Sequence, residues 1–440
     1  MKGFQNQIKE IVNNSNNKDI LSKSFGFLVF RGIGIIGGYW FTYFIAHRYG
    51  AAMNGLVTLG FAIFMFASAV ATFGIDINLV KYYADPKRWE NDPGLFYKAL
   101  LKVFLFSIGI TFLLYVFRDF ITIKLFNKPQ FIPIYTWAIF AIPGWTVIKA
   151  IAGVLRGKGL NNWYAFFNNA GKFSLATILL IAFDFIKIDP LNAIKAHFYA
   201  IIALMVLAFF IAVNNFKRIT INTVSNSWKF MWESFPMFVS TTIMVFLGWI
   251  DSFVLGIYVS DSEIGIYNVA IKIALGANFA MEAINSGFAP KVARLYFEKK
   301  EVELRKLVQF STFLNFGVTV GIVLTIIIFN QILLGLFGEE FKSGFPVLLI
   351  LAMVHLMNSF MGSAAIIMQM IGYQKQFQNI AIVTLIVNLG LNFLLVPKYG
   401  NTGAALATAI SLSIWYVCNA VFLKRTENII TYFNPFVKFK

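Results

Sequence analysis

The chain has 440 residues, of which 58% are hydrophobic and 13% are charged, with a formal net charge of +17 at pH 7. Soluble domains carry about 25% charged residues, so this composition excludes an ordinary soluble protein and indicates a chain built for a lipid bilayer. One cysteine, Cys418, excludes an intrachain disulfide framework, and three scattered histidines give no metal-ligand spacing.

About twelve apolar stretches, each near the 20 residues that a helix needs to cross the hydrocarbon core, follow one another along the chain. We predict spans at residues 24–46, 55–76, 99–121, 131–154, 163–184, 192–213, 235–257, 264–287, 308–330, 345–369, 376–396 and 402–423. No connecting segment exceeds about 25 residues, which leaves no room for a soluble domain. A polar segment precedes a first span that contains Arg31, so we expect no cleavable signal peptide.

The basic residues predict the orientation. Segments on the side of the two termini carry 24 of the 37 Lys and Arg residues, and segments on the opposite side, counted with the span ends that hold Arg118 and Lys195, carry 8. The positive-inside rule therefore places both termini in the cytoplasm. The net charge is then mainly a topology signal that also suits anionic lipids, and it does not favour nucleic-acid binding.

Weak internal similarity predicts two copies of a six-span unit. Three pairs of turn residues recur at offsets near half the chain length: Gly55 and Gly265, Gly159 and Gly372, Pro190 and Pro397. Six spans per copy insert both copies the same way up, giving two six-helix bundles related by a parallel repeat; chance alignment of apolar helices is the alternative. We predict a cytoplasmic tail that forms an interfacial helix (1–23, with Phe4, Ile8 and Ile11 on one face), two lobes (24–222 and 223–423) and a cytoplasmic C-terminal tail (424–440).

Several charged residues fall inside predicted spans, where a charge normally faces a cavity or a partner. Arg31, Lys172 and Lys272 lie deepest. A guanidinium with two ammonium groups around one cavity suits a phosphate or diphosphate.

Other charged residues within predicted spans include Asp76, Lys149, Asp251 and Glu282. For Asp76 and Lys149, near the cytoplasmic span ends, we expect internal pairing or snorkelling. Pairing of Lys272 with Asp251 or Glu282 is the alternative to a substrate role for Lys272.

Five segments, of which the first two form one signature, carry a family resemblance: AHRYGAAMNGLVTLG with ATFGIDINLVKYYA, DSFVLGIYVSDSEIGIYNVAIKI, LLGLFGEEFKSGFPVLLIL, and GLNFLLVPKYGNTGAALATAIS. They resemble signatures of polysaccharide-export flippases, the Wzx-like O-antigen flippase branch of the MOP superfamily, related to MurJ and MATE transporters. The resemblance covers nearly the whole chain.

That resemblance implies a MOP/MATE-like fold and a transporter of the bacterial plasma membrane. Its substrate would be a polyprenyl-diphosphate-linked oligosaccharide for O-antigen (lipopolysaccharide), capsule or exopolysaccharide, moved by alternating access through a central cationic cavity. MurJ-type proteins place essential arginines in spans one and eight. Arg31 fits the position in span one. Lys272 lies in span eight, but it is a lysine where those proteins have an arginine.

MurJ-like relatives also have a sodium site, and this implies a role for two asparagines four residues apart in a hydrophobic span. Asp251, Asn388, Asn392, Ala404 and Thr408 occupy the matching positions. Residues at i and i+4 share a helix face, so both amides can point one way. Asn392 stands where an acid can occur, which leaves one formal charge. Na⁺, H⁺ or the membrane potential would drive transport, with no other cofactor; interhelical hydrogen bonding of the asparagines is the alternative.

Two other functions compete. A multidrug or organic-cation antiporter of the same superfamily shares the architecture, but it should show acidic residues deep in the N-terminal half. A membrane-embedded polymerase or glycosyltransferase needs a clustered acid or metal motif, which the sequence lacks, so we expect no enzyme. The segment PKVARLYFEKKEVELRKL (290–307) is predicted to be an amphipathic cytoplasmic connector that lies on the membrane face; a docking surface for a glycosyltransferase or polymerase of the same pathway is the alternative.

Overall fold

The computed structural model describes residues 15–85, 87–216, 220–223 and 225–434. Helices account for 88% of the described residues, and the described ranges contain no β-strand. Helices suit a bilayer because they satisfy every backbone polar group internally where water is absent. The predicted all-α polytopic membrane fold is confirmed. The predicted apolar face of the N-terminal tail, with Phe4, Ile8 and Ile11, lies outside the described residues.

We number the α-helices of the described chain from the N terminus. The first nine are α1 Ser15–Thr72, α2 Ile75–Tyr83, α3 Lys87–Asn91, α4 Pro93–Val116, α5 Ile132–Phe140, α6 Ile142–Gly157, α7 Asn161–Ala165, α8 Gly171–Ile186 and α9 Asn192–Phe216. The others are α10 Ser227–Glu233, α11 Phe235–Tyr258, α12 Asp261–Phe297, α13 Glu301–Ile328, α14 Asn330–Gly335, α15 Phe345–Met361, α16 Ala364–Met370 and α17 Gln374–Thr426.

The two longest helices each bend sharply at one glycine. Gly50 in α1 has φ 80° and ψ 178°, and Gly400 in α17 has φ 53° and ψ −130°. Side-chain-bearing residues rarely adopt such positive φ values, so glycine permits both bends. Each arm is long enough to form one membrane pass, which accounts for the predicted span pairs 24–46 with 55–76 and 376–396 with 402–423.

Within the described ranges, nine helices are long and apolar enough to cross a membrane. Two of these are the bent helices α1 and α17, which contribute two arms each. The 37-residue helix α12 covers the predicted eighth span. Counted this way, the described residues give twelve candidate spanning segments, one for each predicted span.

Contacts divide the chain into two units. The first consists of Met1–Phe44, Ile63–Lys124 and Lys128–Thr242, and the second consists of Ile45–Ala62, Leu125–Asn127 and Ile243–Lys440. This division follows packing, whereas the predicted lobes, 24–222 and 223–423, follow the sequence repeat. The boundaries of the two predicted lobes, 24–222 and 223–423, therefore stay a prediction.

In the first unit, α6 forms the core. Twelve of its 16 residues are buried, and it packs against α2, α4 and α9. The approach of α2 is so close that a Cβ on Gly153 would lie 2.2 Å from the carbonyl oxygen of Asp76. By contrast, α4 exposes Leu105, Phe112 and Val116, as expected of a surface that faces lipid tails.

The second unit contains a close crossing of two helices at a pair of glycines. A Cβ on Gly55 would lie 1.9 Å from the carbonyl oxygen of Asp261, and one on Gly265 would lie 2.0 Å from that of Ala51. The Asn54 side chain donates a hydrogen bond to the Gly265 carbonyl (3.1 Å). Small residues allow such backbone approach between membrane helices.

The predicted repeat also appears in two matching turns. Gly159 and Gly372 both have positive φ values, 79° and 104°. In each case the next residue donates its backbone N–H five residues back, from Leu160 to Leu155 and from Tyr373 to Met368. This bond pattern ends helices at a left-handed glycine, so the two sequence segments adopt the same turn.

We predict that Gly55→Ala destabilises the protein by roughly 1–3 kcal/mol, because its methyl group forces α1 away from α12. Gly317→Ala is the matched control, since no atom lies within 4 Å of its added Cβ. Thermal unfolding of both variants in the same detergent measures the difference. An unchanged midpoint for Gly55→Ala would contradict the close crossing.

Candidate functional site

Asp251 lies at the centre of a buried polar cluster in the second unit. Its Oδ1 accepts a hydrogen bond from Asn392 Nδ2 at 2.9 Å. Its Oδ2 accepts from Thr408 Oγ1 and from Tyr267 Oη, both at 2.6 Å. The carboxylate on α11 thus joins α12 and both arms of α17, and its three donors are uncharged side chains.

The two asparagines four residues apart form one chain of hydrogen bonds. Asn392 Nδ2 also approaches Asn388 Oδ1 at 3.2 Å, and Asn388 Nδ2 donates to Ser411 Oγ at 2.9 Å. Both side chains are buried. The predicted shared face exists, and it points toward Asp251.

The donor set of this cluster fits a hard monovalent cation. Asn392 Oδ1 is buried without a hydrogen-bond partner among the described residues. One carboxylate, amide oxygens and a threonine hydroxyl are the ligand types that such ions prefer. Ala404 is buried one helical turn before Thr408. The ion-binding role of Asp251, Asn388, Asn392, Ala404 and Thr408 stays a prediction.

Sequence reasoning missed Tyr267 as a member of this cluster. The side chain is 1% exposed and donates the 2.6 Å hydrogen bond to Asp251. A buried tyrosine hydroxyl almost always has a partner, so a tyrosine facing the interior of a span was the available signal. Sequence alone could not identify that partner, because Tyr267 and Asp251 lie on different helices.

Lys172 lies in an aromatic cage in the first unit. Its ammonium is 4.4 Å from the Phe173 ring centroid, 4.6 Å from that of Trp145 and 5.9 Å from that of Phe64. Met65 Sδ is 3.8 Å from the ammonium nitrogen, and only 7% of Lys172 is exposed. Ring faces attract cations, so this cage stabilises the charge within the membrane. A phosphate would reach Lys172 only after the side chain or a ring rotated.

The other two predicted diphosphate ligands lie in different units. Arg31 is half-buried on α1 in the first unit, with Lys172, and Lys272 is half-buried on α12 in the second unit. A shared diphosphate site formed by Arg31, Lys172 and Lys272 therefore stays a prediction.

Asp76 and Lys149 lie next to each other; the sequence predicted internal pairing or snorkelling for both residues without identifying their partners. Lys149 Nζ is 3.6 Å from Asp76 Oδ2 and donates to Asn168 Oδ1 at 2.8 Å. Gly153, one turn after Lys149, produces this pairing because it lets α2 approach α6. The remaining intramembrane acid, Glu282, is half-buried on α12.

Two family models match the chain. The model described as polysaccharide biosynthesis protein matches residues 18–279, and the model described as MatE matches residues 236–394.

Two curated relatives are similar over part of the chain. A probable low-salt glycan biosynthesis flippase, Agl15 of Haloferax volcanii, is 25% identical over 185 residues, which cover 42% of this chain and 39% of that protein. The capsular polysaccharide biosynthesis protein CapF of Staphylococcus aureus is 30% identical over 169 residues, covering 37% of this chain and 41% of that protein. The matches thus span about two-fifths of the relatives' lengths.

A solved structure shares the fold over most of the chain. The lipid II flippase MurJ in an inward closed conformation superposes with a TM-score of 0.72 at 16% identity. The alignment covers 92% of this chain and 87% of that one. At this identity, the likeness shows the fold alone.

We predict that Asp76→Asn and Lys149→Met each destabilise the protein, and that the double variant recovers most of the loss. Each single change leaves one charge unpaired in a partly buried site. The expected loss in the free energy of unfolding is about 1–3 kcal/mol, which lies between the values for surface and buried ion pairs. Thermal unfolding of the four proteins measures this coupling. The control pair is Asp189→Asn with Lys195→Met, a more exposed ion pair at 2.7 Å, for which we expect weaker coupling. Additive effects at Asp76 and Lys149 would contradict the pairing.

Proposed function

The chain belongs to the polysaccharide biosynthesis protein family, and from this premise we propose that it is a flippase for polyprenyl-diphosphate-linked oligosaccharides. The family match over residues 18–279 is the observation that carries the proposal. Relatives named as flippases and the fold shared with MurJ support it. The oligosaccharide would supply a surface polysaccharide such as O-antigen, capsule or exopolysaccharide.

The charges of the first unit support an anionic cargo. Asp76 Oδ2 lies 3.6 Å from Lys149 Nζ, and this ammonium offsets the negative charge that a cationic substrate would need. Arg31 and Lys172 are the basic residues deep within the spans of this unit. The Arg31 guanidinium would hold the diphosphate through two parallel hydrogen bonds, and an ammonium would add a compact charge.

We propose alternating access as the mechanism. The headgroup would enter from the cytoplasmic side, Arg31, Lys172 and Lys272 would neutralise the diphosphate, and the two repeats would rock so that the site opens outward. The lipid tail would stay in the bilayer throughout.

The protein would lie in the bacterial plasma membrane with both termini in the cytoplasm. The connector 290–307 would dock a glycosyltransferase or polymerase of the pathway.

Export of organic cations or drugs is the second candidate function. The MatE match over residues 236–394 favours it. The internal pairing of Asp76 argues against it, because a cation exporter needs an available acid in the first half of the chain.

We predict that depletion of the protein in its host traps the lipid-linked oligosaccharide on the cytoplasmic leaflet. Expression of Arg31→Ala should fail to relieve this block. Arg118→Ala should relieve it, because Arg118 lies at the end of a predicted span and is bound to Asp119 at 3.0 Å. Leaflet-specific labelling of the glycan in a host without a second flippase provides the measurement. Rescue by Arg31→Ala would exclude Arg31 from the site, and a normal distribution after depletion would contradict the flippase function.

We propose that the Asp251 cluster binds the coupling ion, and we predict that Na⁺ raises the thermal unfolding midpoint relative to the same concentration of K⁺. Ligands that bind only the folded state stabilise it by mass action. Asp251→Asn should abolish the shift, and Asp189→Asn, which alters a loop carboxylate, should retain it. Equal midpoints in Na⁺ and K⁺ for the wild type would exclude a sodium site and leave protons or the membrane potential as the driving force.

A further inference from the structure

A second polar site lies within the second unit, in a cavity of about 310 Å³. Four asparagines line it: Asn278 and Asn285 on α12, Asn358 on α15, and Asn419 on α17. An amide within a membrane helix costs free energy unless it has a hydrogen-bond partner. Four amides that converge from three helices therefore indicate either a ligand or a hydrogen-bond network.

Partial pairing among the lining residues holds their amides in place. Asn358 Nδ2 donates to Asn278 Oδ1 at 3.4 Å, and Ser363 Oγ donates to Asn285 Oδ1 at 2.5 Å. Asn278 and Asn285 lie seven residues apart, two helical turns, and therefore share one face of α12. Hydrogen bonds between lining residues therefore fix the positions of these amides.

Asn419 supplies unused bonding capacity in this cavity. It is 1% exposed, and its Nδ2 donates to the Trp415 carbonyl at 2.7 Å. Its Oδ1 is buried with no hydrogen-bond partner in the described chain. Leaving a buried polar atom unsatisfied costs about 1–3 kcal/mol, a penalty that a ligand hydroxyl would relieve once the amide turned this oxygen toward the cavity.

The C-terminal segment fixes one wall of the cavity. Helix α15 ends at Met361 and α16 begins at Ala364, and the residues between them, Gly362 and Ser363, line the cavity. A Cβ on Gly362 would lie 2.3 Å from the Thr431 carbonyl oxygen. The backbone N–H of Phe433 donates to the Phe360 carbonyl at 2.7 Å. The cavity therefore lies toward the end of the unit where the C terminus is, the face predicted to be cytoplasmic.

The chemistry of the lining matches sugar hydroxyls. Each amide can donate and accept, as a hydroxyl does, and the rings of Trp415 and Tyr416 offer apolar surface to the C–H face of a sugar. The described lining residues include no Lys or Arg, which argues against a diphosphate. The Glu282 carboxylate also lines the cavity and would repel an acidic sugar. The volume is at the lower end of the roughly 300–1,000 Å³ typical of ligand pockets.

We propose that this cavity binds one or two neutral or amino sugars of the lipid-linked oligosaccharide, separately from the residues that hold the diphosphate. The inference rests on the proposed flippase function and assigns the glycan part of its substrate to the second unit. Asn419 is the central specificity residue, because its free acceptor distinguishes a hydroxyl-bearing ligand from bare lipid.

The test compares two lipids with the full-length protein in nanodiscs. One is a polyprenyl diphosphate that carries a neutral trisaccharide, and the other is the same polyprenyl diphosphate without sugar. We expect the wild type to bind the glycosylated lipid about tenfold more tightly, equivalent to about 1.4 kcal/mol. Asn419→Leu, which has a similar volume, should lose this preference and keep the affinity for the bare lipid.

Asn215→Leu is the matched control, because Asn215 makes the same hydrogen bond to the carbonyl four residues earlier (2.9 Å) but lies outside the cavity. It should retain the tenfold preference. If Asn419→Leu does not fold, as judged by loss of bare-lipid binding, Asn358→Leu takes its place.

The outcomes separate this inference from the proposed function. Equal wild-type affinity for both lipids would overturn the sugar site while leaving the flippase function intact. A preference that survives both Asn419→Leu and Asn358→Leu would place sugar recognition elsewhere and show that the amides only join helices. No binding of either lipid by the wild type would overturn the proposed function and, with it, this inference.

Discussion

A polar group within a membrane-spanning helix has to find its partner inside the protein, because lipid tails offer none. This constraint organises both units. Asp76 pairs with Lys149, Lys172 lies among aromatic rings, and Asp251 accepts hydrogen bonds from three uncharged side chains. Each solution joins helices that are distant in sequence, so the polar residues contribute to the fold as well as to the proposed sites.

These partners show how far the sequence could predict the structure. Span positions followed from hydrophobic length. Internal pairing or snorkelling of Asp76 and Lys149 followed from their charges near the cytoplasmic span ends, but the sequence did not identify the two residues as each other's partners. The shared face of Asn388 and Asn392 followed from helical spacing. All three depend on local pattern or on charge, which a single sequence displays directly.

What the sequence did not predict depends on packing between helices. The aromatic cage around Lys172 draws on two helices besides its own, and many phenylalanines could have supplied it. Tyr267 was one of 17 tyrosines, and its bond to Asp251 requires a particular rotation of α12 against α11. The amide-lined cavity was missed because Asn278, Asn285, Asn358 and Asn419 are far apart along the chain and carry no charge to mark them.

The proposed substrate has parts with different chemistry, and the protein offers matching surroundings. A diphosphate needs cations, which Arg31, Lys172 and Lys272 would supply. Sugars need neutral donors and acceptors, which the cavity in the second unit contains. The polyprenyl tail needs only lipid or the apolar surface that helices such as α4 expose. An organic cation would be repelled by the basic residues Arg31, Lys172 and Lys272.

The central claim is that the protein moves a lipid-linked oligosaccharide from one leaflet to the other. Reconstitution in liposomes with a polyprenyl-diphosphate oligosaccharide that carries a fluorophore on its glycan tests this most directly, with a membrane-impermeant quencher that reports the outer-leaflet fraction. We predict that the protein makes the protected inner-leaflet fraction accessible, and that Arg31→Ala prevents this. A reconstituted protein that leaves the lipid in place but transports an organic cation would contradict the account.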